Sequence, residues 1–176
     1  STLMLQLCCS AALGRDWIGL QVRPMKALYF GCEDDHDELW RRTAAMARHY
    51  DRPLSDLAEG LELAAMVGQD ARLISFEKFT REPQQTSVYR ALKHRALDFG
   101  AQIVIVDTAT KTFSGNQNDE CQVDAYISLL RRLAIAIQGC VIITKHPSLS
   151  GRALGTGESG NVAWNNSVRA RLYFSE

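Results

Sequence analysis

The segment Ala101-Gln-Ile-Val-Ile-Val-Asp107-Thr-Ala-Thr110 decides the fold. Four β-branched residues follow one another without a polar break, and a carboxylate then ends the run. A continuous Val/Ile run is typical of a strand that is buried on both faces, as in a parallel sheet. Ligands of open α/β sheets bind at the carboxyl ends of strands, where Asp107 is expected to lie. Asp107 is therefore either a ligand of a metal or substrate, or the N-cap of a following helix.

Strand and helix patterns alternate on both sides of this segment. Apolar runs predict further strands, and three- or four-residue spacing of apolar side chains predicts helices. Strands are expected over residues 26–31, 61–66, 71–76, 140–144 and 168–174, and helices over residues 2–13, 35–50, 83–99, 123–137 and 161–167. The glycine-rich stretch 147–160 has no core to bury and is expected to be mobile unless a ligand orders it. Alternating strands and helices indicate one α/β domain over residues 1–176, with a mostly parallel central sheet flanked by helices.

The composition limits the class of protein. The 176 residues suffice for one domain, and the 20 acidic and 20 basic residues give a net charge of zero, which does not favour a protein that coats nucleic acid. The five cysteines form no Cys-x-x-Cys pair, which indicates buried thiols in a reducing compartment and a cytoplasmic location. No apolar run approaches the length of a membrane span, so no membrane partner is expected.

Polar side chains at the ends of three predicted strands are the candidate functional residues. Glu33, Asp107 and His146 are expected at one edge of the sheet. Phosphoryl transfer needs a carboxylate that holds the metal, a group that orients water and donors for the phosphate charge. Asp107 suits the first role, Glu33 the second, and His146 or Lys145 the third. The alternatives are that Glu33 is an acid at a helix N-terminus and that His146 is structural.

The loop that would cradle phosphates is not in this sequence. No G-x-x-x-x-G-K-[ST] motif is present, but Ser1 and Thr2 lead directly into a predicted helix, as the last residue of that motif does. We expect that the P-loop has been cut off, that Ser1 and Thr2 lie beside the nucleotide, and that Ser1 and Asp107 hold Mg²⁺. Ser1 is otherwise a helix cap or an arbitrary boundary. Without its P-loop the fragment is expected to bind ATP poorly and to be inactive.

Five segments in order resemble RecA-like ATPases, and in particular the hexameric replicative helicases of the RepA type found in phages, plasmids and prophages. They are Ser1-Thr-Leu-Met-Leu-Gln-Leu, Leu28-Tyr-Phe-Gly-Cys-Glu33-Asp34, Ile103-Val-Ile-Val-Asp107-Thr, Val141-Ile-Ile-Thr-Lys-His146 and Trp164-Asn-Asn-Ser-Val-Arg-Ala-Arg-Leu-Tyr. The resemblance implies a RecA-like three-layer fold. It also implies a protein that hydrolyses ATP with Mg²⁺ and acts in DNA replication.

The same resemblance implies partners and roles for particular residues. It implies a homo-oligomer in the form of a hexameric ring, with single-stranded DNA as partner. Glu33 would be the catalytic base, Asp107 the Walker B carboxylate and His146 the sensor. Arg169 matches the arginine finger that reaches the neighbouring subunit's ATP, and Arg171 is the alternative.

Two departures from the family pattern leave other functions open. The sensor reads Lys-His where related helicases often have two histidines, and Arg152 is the only basic residue of the glycine-rich loop that would face single-stranded DNA. A groove for single strands needs several cations and stacking aromatic rings. A recombination ATPase of the RecA/RadA type and a nucleotide-binding regulatory module without hydrolysis are therefore the alternatives.

Overall fold

A computed structural model describes residues 2–153, 155–157 and 159–174, apart from the side chain of Ser150. The helices are α1 Thr2–Leu13, α2 His36–His49, α3 Ser87–Phe99, α4 Ala109–Thr112, α5 Glu120–Ala136, α6 Leu149–Ala153 and α7 Ala163–Asn166, with a 3₁₀ helix at Leu54–Leu57. The strands are β1 Ala27–Gly31, β2 Leu61–Ala65, β3 Ile74–Phe76, β4 Pro83–Gln85, β5 Ile103–Asp107 and β6 Cys140–Ile143.

The central sheet has four parallel strands in the order β2-β1-β5-β6. Gly31, the last residue of β1, lies opposite Asp107, the last residue of β5, and Ile143 of β6 lies opposite Val106. Because all four strands run the same way, their carboxyl ends form one edge, which we call the carboxyl edge. The residues that follow β1, β5 and β6 therefore come together there.

Helices cover both faces of this sheet. On one face, β-strand residues such as Tyr29 and Ile105 pack against α1 and α2. On the other face, residues such as Phe30 and Val106 pack against α3 and α5. Strand residues alternate between the two faces, and both faces are apolar, so β1 and β5 are buried along their whole length. This arrangement confirms the predicted three-layer α/β fold, in which helices flank a mostly parallel central sheet.

The direction of the crossovers makes the point between β1 and β5 a topological switch point, and we call the space expected above it the crevice. From β1 the chain passes through α2 to β2 on one side, and from β5 it passes through α5 to β6 on the other. Where neighbouring strands send their connections in opposite directions, the loops separate and leave room for a ligand at the carboxyl edge. From the register of β1 and β5, the crevice is expected directly above Gly31 and Asp107.

Helix α1 runs antiparallel to the strands. Its last turn lies at the opposite edge of the sheet, since Met25 N donates to Ala11 O over 3.0 Å just before β1. Gly60, which immediately precedes β2, lies so close to Ala12 that a Cβ atom on it would be 2.8 Å from the Ala12 Cβ. A helix of 12 residues is about as long as a five-residue strand. The first turn of α1 is therefore directed toward the carboxyl edge.

Several sequence predictions were wrong. The predicted strand 168–174 is not a strand, because it pairs with no neighbour among the described residues despite its alternating pattern. The predicted helix 83–99 begins only at Ser87, since residues 83–85 pair with β3 as a short hairpin, and Thr86 caps the helix. No helix was predicted in the glycine-rich stretch, which contains the short helix α6, with Gly151 N bonded to Ser148 Oγ over 3.0 Å.

Other expectations were only partly correct. Strand β6 forms an edge of the described sheet and is partly exposed, not buried. The five cysteines are free thiols, but Cys121 and Cys140 are exposed. The predicted strand 71–76 is shortened to Ile74–Phe76, and neither α4 nor the 3₁₀ helix was predicted. The other helices and strands lie close to their predicted positions, and Gly100 ends α3 in the left-handed conformation, with φ of 72°. Among the described residues, no helix combines the length and apolar character that crossing a membrane requires.

Candidate functional site

Asp107 lies at the base of the crevice with only 2% of its surface exposed. One carboxylate oxygen accepts a hydrogen bond from the Tyr29 hydroxyl, and the other accepts one from Thr144 Oγ1. Burial raises the pKa of Tyr29 far above its ordinary value, so its hydroxyl stays protonated and can donate. The N-cap of α4 is Thr108, which makes no side-chain capping bond. The capping alternative for Asp107 is therefore wrong.

The surroundings of Asp107 are compatible with a magnesium ion. A carboxylate offers about four acceptor sites, which is more than the two described hydrogen bonds from Tyr29 and Thr144 occupy. Thr108 Oγ1, next in the chain, is buried and has no hydrogen-bond partner among the described residues. Within the described ranges no cluster of three or more acidic, histidine or cysteine side chains could hold a metal alone. Mg²⁺ in nucleotide sites uses one or two carboxylates plus waters and phosphates, so a single carboxylate beside a free hydroxyl fits it.

Glu33 and His146 lie together at the mouth of the crevice. Glu33 Oε1 is 3.7 Å from His146 Nε2, and their side chains are 40% and 75% exposed respectively. Cys32 N donates to Asp107 O over 2.7 Å, which fixes the chain just before Glu33 to the end of β5. The structure thus brings Glu33, Asp107 and His146 to one edge, as the sequence predicts. Both Glu33 and His146 are accessible to a ligand in the crevice.

The loop that carries Glu33 is held by the first turns of α2. Asp35 caps this helix by accepting a hydrogen bond from Glu38 N over 2.8 Å, so Glu33 itself is outside the helix and is not its capping acid. The Arg42 guanidinium donates to Asp34 over 2.7 Å and to Glu38 over 2.6 Å. Arg42 therefore connects the residue after Glu33 to the body of α2, and this forked contact limits the movement of Glu33.

Lys145 does not face this crevice, which corrects its possible role in polarising the phosphate. Its ammonium group donates to the carbonyl of Ser159 and lies 4.3 Å from the centroid of the Trp164 ring. Burial lowers the pKa of Lys145 to about 8. Of the two residues that suited the phosphate role, only His146 contacts another candidate residue.

The candidate residues at the two ends of the chain make no described contact with Glu33, Asp107 or His146. Ser1 lies outside the described residues. Thr2 is exposed at the start of α1, and no hydrogen bond joins it to Asp107 in the described structure. Arg169 is exposed, and within the described ranges it makes no hydrogen bond or ion pair. Arg171 instead donates to Thr156 O over 2.5 Å. Neither arginine contacts the three carboxyl-edge residues of its own chain.

Sequence reasoning missed two residues of the site. Tyr29 lies in an apolar strand, where it is expected simply to fill the core, and Thr144 is the polar end of β6. The available signal was the strand register. Tyr29 and Thr144 lie on the same face of neighbouring strands as Asp107, which could have been deduced once β1, β5 and β6 were aligned.

Comparison with known families identifies the class of protein. The model of an AAA domain (AAA_25) matches residues 1–152, which is most of the chain. The chain therefore belongs to this AAA domain family and is a P-loop ATPase domain of the AAA type. Comparison with curated proteins found no significant match.

Proposed function

We propose that this chain is the ATP-hydrolysing motor domain of a DNA helicase of the RepA type, or of a closely related replication ATPase. In this proposal, residues 1–176 form one RecA-like domain whose P-loop precedes Ser1, and ATP binds in the crevice between β1 and β5. The observation that carries it is the 3.7 Å approach of Glu33 and His146 beside the buried carboxylate of Asp107. Family membership supports the ATPase class, and the ordered motifs support the helicase type.

Each side chain then has a definite role. Asp107, together with Ser1, would hold Mg²⁺, which when bound neutralises charge on the phosphates. Glu33 accepts a proton from the attacking water, because it is an accessible carboxylate at the mouth of the crevice. His146 lies 3.7 Å from Glu33 and, in this proposal, would donate to the terminal phosphate. Thr2 contributes to the nucleotide pocket from the start of α1.

The oligomeric part of the proposal concerns Arg169. An arginine finger must extend away from its own chain to reach the ATP of a neighbour. Arg169 is exposed and has no partner within the described part of the chain, whereas Arg171 is bonded to Thr156. Arg169 therefore suits the finger better. A homo-oligomeric ring, hexameric by resemblance, would carry single-stranded DNA through its centre.

Replacing Glu33 in the full-length protein tests the function. Glu33→Gln should bind ATP normally and lose turnover by about 10²-fold or more, since the amide cannot accept the proton. The matched control is Glu59→Gln, because Glu59 is exposed beside Gly60 at the opposite edge of the sheet. Unchanged turnover of Glu33→Gln would refute the catalytic assignment.

Microscopy and translocation assays test the helicase type. A closed ring that unwinds a forked duplex only with hydrolysable ATP is expected. A filament on DNA would instead indicate a recombination ATPase.

A further inference from the structure

The three residues that follow β6 contact opposite sides of the molecule. Thr144 Oγ1 donates to Asp107, and His146 contacts Glu33, so both belong to the crevice. Lys145, between them, contacts Ser159 and Trp164. The backbone of residues 144–146 therefore contacts both the crevice and the segment from Ser159 to Trp164, which begins inside the glycine-rich stretch.

Trp164 provides a rigid surface for Lys145. The indole is almost completely buried, and its Nε1 donates to Gln117 O over 3.2 Å. Its ring packs edge-on against Phe113 at 5.4 Å and against Tyr126 at 6.0 Å between centroids. Phe113 directly follows α4, the short helix that begins two residues after Asp107. The partner of Lys145 is thus itself anchored in the core beside β5.

The contacts of Lys145 are specific to a cation with a donor hydrogen. The Ser159 carbonyl accepts from the ammonium group, and the face of the indole attracts positive charge through its quadrupole. The side chain is partly buried, so these two contacts replace water that the ammonium has lost. An apolar side chain of the same length could fill the space but could not make either contact.

We propose that Lys145 is a positioning residue. By binding Ser159 and Trp164 it fixes the backbone on which His146 is held against Glu33, and it ties the segment from Ser159 to Trp164 to the carboxyl edge. The catalytic consequence rests on the proposed ATPase function, whereas the structural consequence does not. Lys145 thereby acts on the reaction through His146 and touches neither nucleotide nor metal.

The test compares Lys145→Met with Lys145→Arg in the full-length protein. Met keeps the apolar stem and removes both polar contacts, and Arg keeps a cation and donors. For Lys145→Met we expect kcat to fall about tenfold, because a small displacement of a catalytic group is enough for such a loss. The KM for ATP should stay within about twofold, since the nucleotide pocket is not touched. Lys145→Arg should recover most of the kcat.

Hydrogen–deuterium exchange tests, independently of catalysis, whether Lys145 holds the segment from Ser159 to Trp164 in place. Peptides covering residues 159–166 should exchange several-fold faster in Lys145→Met, while peptides covering β5 should be unchanged. Lys145→Gln, which keeps a donor without the charge, should lie between Met and wild type in both measurements.

Three results would overturn the proposal. The first is an unchanged exchange rate at residues 159–166 in Lys145→Met. The second is a large rise in the KM for ATP, which would mean that Lys145 contacts the nucleotide. The third is a Lys145→Arg variant as slow as Lys145→Met. If the wild-type protein hydrolysed no ATP, the proposed function would fail. The exchange result alone would then decide whether Lys145 holds the segment from Ser159 to Trp164.

Discussion

Removing the Tyr29 hydroxyl should destabilise the protein more than removing an equally buried tyrosine hydroxyl elsewhere. In Tyr29→Phe, the Asp107 carboxylate loses one of its two described side-chain donors while remaining buried. Hydrogen bonds to charged groups contribute about 1.5–3 kcal/mol, roughly twice the value for neutral pairs. We therefore expect the free energy of unfolding to fall by about 2–3 kcal/mol. For a domain of this size that lowers the Tm by roughly 4–12 °C.

Tyr89→Phe is the matched control for this prediction. Tyr89 is as buried as Tyr29, but its hydroxyl donates to a neutral acceptor, the Leu129 carbonyl, over 3.2 Å. Its loss should cost about 1 kcal/mol. Urea denaturation of both variants, followed by circular dichroism, gives the two free energies of unfolding. If Tyr29→Phe were no less stable than Tyr89→Phe, Asp107 would not depend on Tyr29 as a donor to a buried charge.

Three further perturbations follow from the packing, the thiols and the loop of Glu33. Gly139→Ala should destabilise the chain by about 1–3 kcal/mol in urea denaturation, because the new Cβ would lie 2.0 Å from the backbone oxygen of Gln102. Burial raises the pKa of Cys9 to about 12, so the folded thiol stays protonated after unfolded thiols ionise. Stability should therefore fall as the pH rises from about 9 toward 12, and Cys9→Ala should flatten that fall in alkaline titrations. Arg42→Gln should lower kcat about threefold to tenfold by loosening the loop of Glu33, with ATP binding unchanged in titration calorimetry.

Matched variants make the glycine and arginine results interpretable. Gly68→Ala has open space around the new Cβ, so its cost should come from a φ of +75° alone and be smaller than that of Gly139→Ala. Arg41→Gln removes an exposed arginine that also binds Glu38 but does not reach Asp34, so kcat should be unchanged. Equal effects of Arg41→Gln and Arg42→Gln, or an unaltered alkaline profile of Cys9→Ala, would contradict the reasoning.

The central strands could be predicted from the sequence because their burial leaves a local signal. In β5, four adjacent β-branched residues are explained only by packing on both faces, and the structure shows both faces covered. The hairpin of β3 and β4 gave no such signal, since residues 83–85 are Pro-Gln-Gln and are exposed. Residues 168–174 have the alternation of a strand, but alternation does not supply a pairing partner.

The candidate site was predictable where it depended on chain order and not where it depended on side-chain direction. Parallel topology alone places Glu33, Asp107 and His146 at one edge. The two donors to Asp107 required the register between strands. The opposite orientation of Lys145 depends on Trp164, which lies 19 residues further along the chain and reaches it only through tertiary packing.

The most direct test of the account is the affinity of the full-length protein for ATP with Mg²⁺ and with EDTA, measured for wild type and Asp107→Asn. If Asp107 is the metal-side carboxylate of an ATP site in the crevice, Asp107→Asn should lose about tenfold or more in affinity with Mg²⁺. With EDTA the two proteins should bind ATP equally. Equal affinities in Mg²⁺, for a variant that melts cooperatively, would contradict the assignment of the crevice as the site of ATP hydrolysis.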